Sequence, residues 1–385
     1  MKDKKNRRGF LKTAGLAGAA MAAAPHLLEG KSRIKKSKPI KGLKLPRWRG
    51  FNLQYIYRNR GIHAPQEQHF QWLSDWGFDF VRIPLNYRAW LQYKPKKGER
   101  ALTEDDVYNI DESTLELIDK MVEYGVKHNI HVNLCFHHAP GYIIGIGDWT
   151  GEPFRLFRDE SAKAAFTYHW EIFAKRYKGI GKDQISFNLF NEAPWPYDNF
   201  NGEIYKNTIT PAVETIRKIS PERIILADGA GAGNLCVPEL IPLGINQSVH
   251  CYIPGTVSHY KVDWMQERTD WPEPQWPNAI GEEGYVWNRE KLEEYYAPWG
   301  RLVEKGIGVH LGETGGSHRL PHHVYLAWLE DVLDIFKNMG IGYCLWDFIG
   351  QSNFGILDSD RKDVQYEEWY GHKLDRKMLE LLQKY

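Results

Sequence analysis

Ile185-Ser186-Phe187-Asn188-Leu189-Phe190-Asn191-Glu192-Ala193-Pro194 opens as a short apolar run, then breaks into Asn-Glu ahead of a proline. A near-continuous apolar run of this length is what a strand buried on both faces requires. Pro194 biases the residue before it away from helix, so the chain turns there. The stretch therefore delivers a carboxylate at the end of a buried strand. Ile307-Gly308-Val309-His310-Leu311-Gly312-Glu313-Thr314-Gly315-Gly316 has the same design. Whether Glu192 and Glu313 face each other decides what the chain can do.

Working outward, short apolar runs at 51–55, 78–84, 131–136, 185–188, 224–227, 249–252, 309–311 and 342–346 read as strands. Between them lie helical patterns at 66–76, 110–128, 159–177, 205–219, 289–305 and 324–339, and 374–382 closes the chain. Leu115, Ile118, Val122 and Val126 fall at helical spacing. Asp111 or Ser113 can cap that helix, and Gly125, Gly306 and Gly340 end helical patterns. Strands alternating with helices mean βαβ units on a parallel sheet. Eight such strands in one run give an α/β fold, a (β/α)8 TIM barrel in a single domain over 48–385. A doubly wound open sheet is the alternative. The fifth unit is the irregular one: Gly229-Ala230-Gly231-Ala232-Gly233 is followed by little helix. That run is no dinucleotide fingerprint, because neither a clear helix nor a suitably placed acidic residue comes after it.

Composition narrows the class. Among 385 residues the formal net charge is +1, which gives no reason to expect a nucleic-acid partner. Aromatic residues make up 14%, with 15 Trp and 21 Tyr, enough for a core and for a cleft that stacks flat ligands. Cys135, Cys236, Cys251 and Cys344 show no CxxC spacing and read as small core hydrophobes rather than a zinc site. No metal and no cofactor is expected.

The N-terminus reads as an address rather than fold. Arg7-Arg8-Gly9-Phe10-Leu11-Lys12 is a twin-arginine pattern, followed by a mild apolar stretch over 11–24 that ends in Ala22-Ala23-Ala24. Residues 1–24 read as a signal peptide and 25–47 as a basic linker. The expectation is export by the twin-arginine machinery to the periplasm or beyond. The apolar stretch is too short for stable membrane insertion.

In a (β/α)8 barrel the chemistry sits at the C-terminal ends of the strands. The exits carry Arg82, His137 and His138, Asn191 and Glu192, His250 and Tyr252, Glu313, and Trp346. Two carboxylates at one barrel mouth suit glycoside hydrolysis: one protonates the leaving oxygen, and the other attacks the anomeric carbon or activates water. A lone glutamate at a strand end is as easily an ion pair or a cap, so the argument rests on the pair.

The whole pattern resembles glycoside hydrolase family 5, the cellulase family, within the retaining (β/α)8 glycosidases. Phe190-Asn191-Glu192-Ala193-Pro194 resembles the acid/base motif and Leu311-Gly312-Glu313-Thr314-Gly315 the nucleophile motif. Val81-Arg82-Ile83-Pro84, Phe136-His137-His138-Ala139-Pro140-Gly141, His250-Cys251-Tyr252 and Trp346 with Phe354-Gly355-Ile356-Leu357-Asp358 match the other strand ends. Pro194 comes one residue late, Thr314 replaces a common aromatic, and Ala227-Asp228-Gly229 stands where many members carry a Trp-bearing turn. These departures bear on substrate more than on chemistry.

The resemblance implies Glu192 as acid/base and Glu313 as nucleophile. It implies Asn191 on the 2-hydroxyl of the sugar, Arg82 and Tyr252 on Glu313, His137 and His250 on sugar hydroxyls, and Trp346 as a stacking floor. His138 and His310 read as structural. Between 253 and 287 a long segment with Trp264, Trp271 and Trp276 reads either as a wall of the cleft or as an excursion that buries its own rings. The substrate expectation is a β-1,4-glucan. Mannan, xyloglucan or exo action on another β-glycan is the alternative within the family. From other classes come a non-catalytic carbohydrate-binding barrel and a metal-dependent hydrolase. The paired glutamates weigh against the first, and the missing His-x-His pair against the second.

Overall fold

The computed structural model describes residues 44–57, 62–95, 99–144, 151–197, 200–268, 271–350 and 354–385. The twin-arginine stretch and nearly all of the basic linker lie outside the described residues.

Eight parallel strands close into a barrel: β1 Arg49–Asn52, β2 Phe80–Asn86, β3 His131–His138, β4 Ile185–Asn188, β5 Ile224–Asp228, β6 Asn246–Cys251, β7 Val309–Thr314 and β8 Gly342–Leu345. β8 pairs with both β7 and β1, which completes the ring. Outside lie α1 Glu67–Asp75, α2 Glu112–His128, α3 Glu160–Arg176, α4 Gly202–Ile219, α5 Arg289–Glu304, α6 His322–Asn338 and α7 Arg376–Lys384. The expected (β/α)8 barrel in a single domain is the architecture found. As the Gly-rich run suggested, the β5–β6 crossover carries only a 3-10 helix, Pro238–Leu243.

Local chemistry sets several boundaries. Asp111 caps α2 by accepting from the Ser113 N–H. Gly125 does not end that helix: α2 runs on to His128 and stops at Asn129, whose φ is 55°. A Cβ at Gly125 would stand 2.3 Å from a Val132 methyl, so this glycine serves close helix–strand packing. Leu115, Ile118 and Val122 are buried as expected, whereas Val126 is exposed. Gly306 and Gly340, at φ 83° and 75°, do end α5 and α6. Packing begins before Trp48: Leu45 joins Trp48, Phe80, Leu226 and Cys344 at the N-terminal end of the barrel.

One irregularity positions the site. β7 pairs Leu311 with Val249 on one side and Tyr343 on the other, but then Glu313 with His250 and Thr314 with Leu345. The strand thus carries an extra residue at Gly312 against both neighbours, a bulge that re-aims Glu313 and Thr314. A Cβ at Gly312 would stand 2.3 Å from Ser248 Oγ, so a larger residue there would have to push the Ser248 side chain aside.

The four cysteines are free, and three are buried.

Candidate active site

The strands bring the expected residues to one place. Arg82, on β2 and 1% exposed, reaches across the barrel floor. Its Nη1 donates to Glu313 Oε1 at 2.6 Å, and Nη2 donates to Asn191 Oδ1 at 2.8 Å. Asn52 and Asn188 accept its Nη1 and Nε, each at 3.1 Å. The planar guanidinium is thereby fixed on several sides. Tyr252 donates to Glu313 Oε2 at 3.0 Å. Glu192 meets His250 Nδ1 through Oε1 at 3.0 Å, and Glu313 Oε2 lies 3.7 Å from the same nitrogen. One ligand-type atom from each of Glu192, His250 and Glu313 falls within a 4.8 Å circle of mutual distances. Glu192 and Glu313 therefore do face each other.

Both carboxylates sit slightly apart from where their motifs suggested. Glu313 is within β7, beside the bulge, and is 4% exposed. Glu192 comes after β4 has ended, beyond Leu189 to Asn191, and has φ 51°, a left-handed conformation unusual for glutamate. Its N–H donates to Asp228 Oδ2 at 2.9 Å, and its carbonyl accepts the Tyr142 hydroxyl at 2.5 Å. These two bonds hold a backbone conformation costing on the order of 1–3 kcal/mol.

Burial pushes the Glu313 carboxyl above its ordinary range, while His250 and Arg82 pull against it. Burial alone would strip the proton from His250, but Glu313 and Asp228 push its pKa up to about 10, so it stands as an imidazolium. Burial also opposes ionisation of Asp228, yet His250 and Arg82 hold it well below the usual carboxylate range. Burial and the Glu313 charge raise the Tyr252 phenol, which stays a donor. The three-residue cluster is tight enough for a metal ion. With Arg82 and an imidazolium already facing its carboxylates, however, the charge is compensated without one.

His137 and Trp346 lie at the same mouth, with ring centroids 5.6 Å apart. Trp346 is only 7% exposed, covered also by Tyr57 edge-on and by Val262 and Phe354. It is less open than a stacking floor would suggest. His138 and His310 lie elsewhere: His138 pairs with Glu152 at 2.8 Å, and His310 points into the N-terminal end against Phe80. The segment after β6 divides between its two readings. Trp264 is 57% exposed and stacks on Phe354 at 5.7 Å, on the cleft side. Trp271 packs against the core, and Trp276 is buried with its N–H on Asp331 at 2.8 Å. A cavity of about 250 Å³ opens beside Asp347, lined by Gln54, Tyr55, His69 and His372; neither catalytic candidate lines it.

Asp228 is the site residue the sequence reading missed. A signal was present: Ile224-Ile225-Leu226-Ala227 is a buried run closed by a carboxylate, the design seen at Glu192 and Glu313.

A family model described as Cellulase (glycosyl hydrolase family 5) matches residues 35–352. Endoglucanase C of Acetivibrio thermocellus is 26% identical over 327 residues, covering 78% of this chain and 88% of that protein. Cellodextrinase A of Ruminococcus flavefaciens is 26% identical over 314 residues, covering 80% and 85%. A solved structure titled as a glycoside hydrolase superposes with a TM-score of 0.79 at 38% identity, covering 88% of this chain and 99% of that one. The alternating strands, the paired carboxylates at the barrel mouth and these matches agree, and the chain belongs to glycosyl hydrolase family 5, the cellulase family, as a glycoside hydrolase.

Proposed function

We propose that this enzyme cleaves β-1,4-glucan, or oligosaccharides derived from it, with retention of anomeric configuration. The observation that carries retention is the short approach of the carboxylates, with an oxygen of each inside the 4.8 Å cluster. Retaining enzymes hold their two carboxyl groups about 5–5.5 Å apart, whereas inverting enzymes need roughly 6.5–9.5 Å to admit a water. The names endoglucanase and cellodextrinase among the relatives favour a glucan backbone. Mannan and xyloglucan are the alternatives that a substrate panel addresses.

In this reading Glu313 attacks the anomeric carbon while Glu192 gives its proton to the departing glycosidic oxygen. The C–O bond breaks and a glycosyl ester forms on Glu313. Water then attacks the same carbon, Glu192 takes the water's proton, and Glu313 leaves as carboxylate. Arg82 and Tyr252 fix the Glu313 oxygens for in-line attack. Asn191 has its Oδ1 taken by Arg82, while its buried Nδ2 has no partner among the described residues, which suits a donor to the sugar 2-hydroxyl. His137 contributes to the sugar-binding wall and Trp346 to its floor, whereas His250, expected there too, is 0% exposed and faces the carboxylates instead. Incubation with purified β-glycans, with products followed by chromatography and the first-formed anomer by NMR, tests the scheme. Inversion, or no cleavage of any β-glucan, overturns it.

We further propose export by the twin-arginine route, on the strength of Arg7 and Arg8 within 1–24. Replacing both with Lys should hold the protein in the cytoplasm, and unchanged export would sink this reading.

A further inference from the structure

Asp228 is 0% exposed, and the two-glutamate scheme gives this carboxylate no task. A buried charge persists only when it is paired and hydrogen-bonded. Here Oδ1 accepts from Asn188 Nδ2 at 2.9 Å. Oδ2 accepts the Glu192 N–H at 2.9 Å and lies 3.2 Å from His250 Nε2 and 3.4 Å from Arg82 Nη2. His250 is thus bracketed, with Asp228 at Nε2 and Glu192 Oε1 at Nδ1. A neutral imidazole has one N–H and would turn a lone pair toward one of these carboxylates; an imidazolium presents a proton to each, as a hydrogen bond at Nδ1 and as a close charge pair at Nε2, where hydrogen-bond geometry is not met.

The Gly-rich run completes the clamp. The Gly231 N–H donates to the Pro194 carbonyl at 2.8 Å, the Ala232 N–H to Ala193 at 2.9 Å, and the Gly233 carbonyl accepts the His250 N–H at 3.0 Å. A Cβ at Gly233 would stand 2.7 Å from the His250 side chain, and that glycine has φ 82°. The run after β5 therefore ties the Glu192 loop to the strand that carries His250.

We propose that Asp228 is the positioning residue of the acid/base: it pins the Glu192 backbone and holds His250 as a doubly protonated bridge aimed at the Glu192 carboxylate. The proposal rests on the role of Glu192 as acid/base. His250 is faced by Glu192 beyond β4, Asp228 on β5 and Glu313 on β7, with Arg82 on β2 against Asp228 and Glu313 and Tyr252 just past β6 against Glu313, while Tyr296 on α5 reaches its carbonyl at 3.2 Å. The three carboxylates outweigh burial and favour the cation, in line with its raised pKa. Glu192 must take the water's proton in the second step, so a displaced Glu192 slows that step even for a leaving group that needs no proton.

NMR of the 15N-histidine-labelled protein reads the ring states without any substrate, so it stands or falls separately from the glycosidase assignment. In the wild type both His250 ring nitrogens should carry protons at neutral pH. Asp228→Asn keeps an acceptor for the Glu192 N–H but loses the charge, and its His250 should release the second proton at distinctly lower pH. His131 and His310, at the far end of the barrel, should be neutral in both proteins and report an intact fold. With an aryl glycoside of good leaving group, Asp228→Asn should show a burst of aryl product, with kcat and KM falling together by about tenfold. Asp228→Glu, which keeps the charge, should recover part of the loss. A wild-type ring with one proton at pH 7, or an Asp228→Asn ring that titrates like wild type, overturns the proposal. So does a loss confined to kcat/KM without a burst. If both variants fail to fold, the wild-type ring state alone decides.

Discussion

Buried histidines distinguish the two ends of the barrel. At the N-terminal end His131 lies flat between Trp48, 3.8 Å away, and Phe80, 5.6 Å away, and His310 packs on Phe80 at 4.3 Å. Their hydrogen-bond partners among the described residues are neutral: the Asp183 carbonyl and Ser186 Oγ for His131, and the Trp48 carbonyl for His310 Nε2. Burial there pushes their pKa values down to about 4 and about 3. At the C-terminal end His250 is equally buried, yet three carboxylates lift it to about 10. Residue type, burial and strand scaffold are shared, and only the neighbours differ. Burial removes water; the neighbours then decide which protonation state the dry site keeps. One end of the barrel is sealed with uncharged rings, and the other gathers Arg82, His250 and three carboxyl groups.

The sharpest way to break this division is to truncate the carboxylates. Glu313→Ala should abolish turnover, with azide partly restoring it as an external nucleophile. Glu192→Ala should cut hydrolysis of unactivated substrates by about 10²–10⁴-fold while sparing the first step on good leaving groups. Steady-state assays of both, beside a His310→Gln control that keeps its kcat, test the division. A comparable loss of kcat in that control would mean the ends are not independent.

Acid titration probes the sealed end. His131 and His310 have folded pKa values below the unfolded value of about 6.5, so the unfolded chain binds more protons as pH falls. Their contribution is fully present above about pH 6.5 and is lost as pH falls toward 4. His250 has the opposite sign, with stability present below about pH 6.5 and lost as pH rises through about 10. Denaturant titrations of wild type and His131→Asn between pH 7 and 4 should differ in slope, the wild type losing on the order of 3 kcal/mol more. Parallel curves would show that His131 is not held neutral.

Trp346 lies between the two behaviours. At 7% exposure it is packing as well as the proposed floor, so Trp346→Phe should lower the melting temperature by a few degrees and kcat/KM by about tenfold or more. A melting loss without a rate loss would assign it to packing alone. The smallest effect should come from Trp264, exposed on Phe354 at the rim. Trp264→Ala should leave the melting temperature unchanged and raise KM for long oligosaccharides by about two- to tenfold, as expected for one stacked ring. Equal KM changes for short and long substrates would remove it from the cleft.

Much of this was legible in the sequence because a barrel strand buried on both faces has to be an apolar run, and eight such runs can be counted. The order of strands, the seven helices and the meeting of Arg82, Asn191, Glu192, His250, Tyr252 and Glu313 derive from that. Strand ends were less legible. Glu313 and His250 look like exits, yet hydrogen bonding continues through them, because pairing depends on partners far away in the chain. Gly125 reads as a stop because glycine frees the backbone; its neighbour Val132 gives it the opposite use. Asp228 was passed over because a lone aspartate carries no periodicity, and only the fold supplies His250 and the Glu192 N–H as its partners.

The extra residue on β7 has a consequence for how this strand can change over evolutionary time. Up to Leu311 the side chains alternate inward and outward, and after Gly312 the count runs in the opposite parity, which is how Glu313 comes to meet Arg82. Lengthening a surface connection by one residue leaves every strand's parity intact. Losing one residue at 312 would leave the glutamate opposite His250 but remove the local bend and twist that aim it at Arg82, with the Glu-Thr-Gly letters still in place. Among divergent descendants, insertions and deletions should therefore accumulate in the connections and avoid this single position, and an alignment that places a gap there marks a chain whose glutamate has to reach the arginine along a different backbone course.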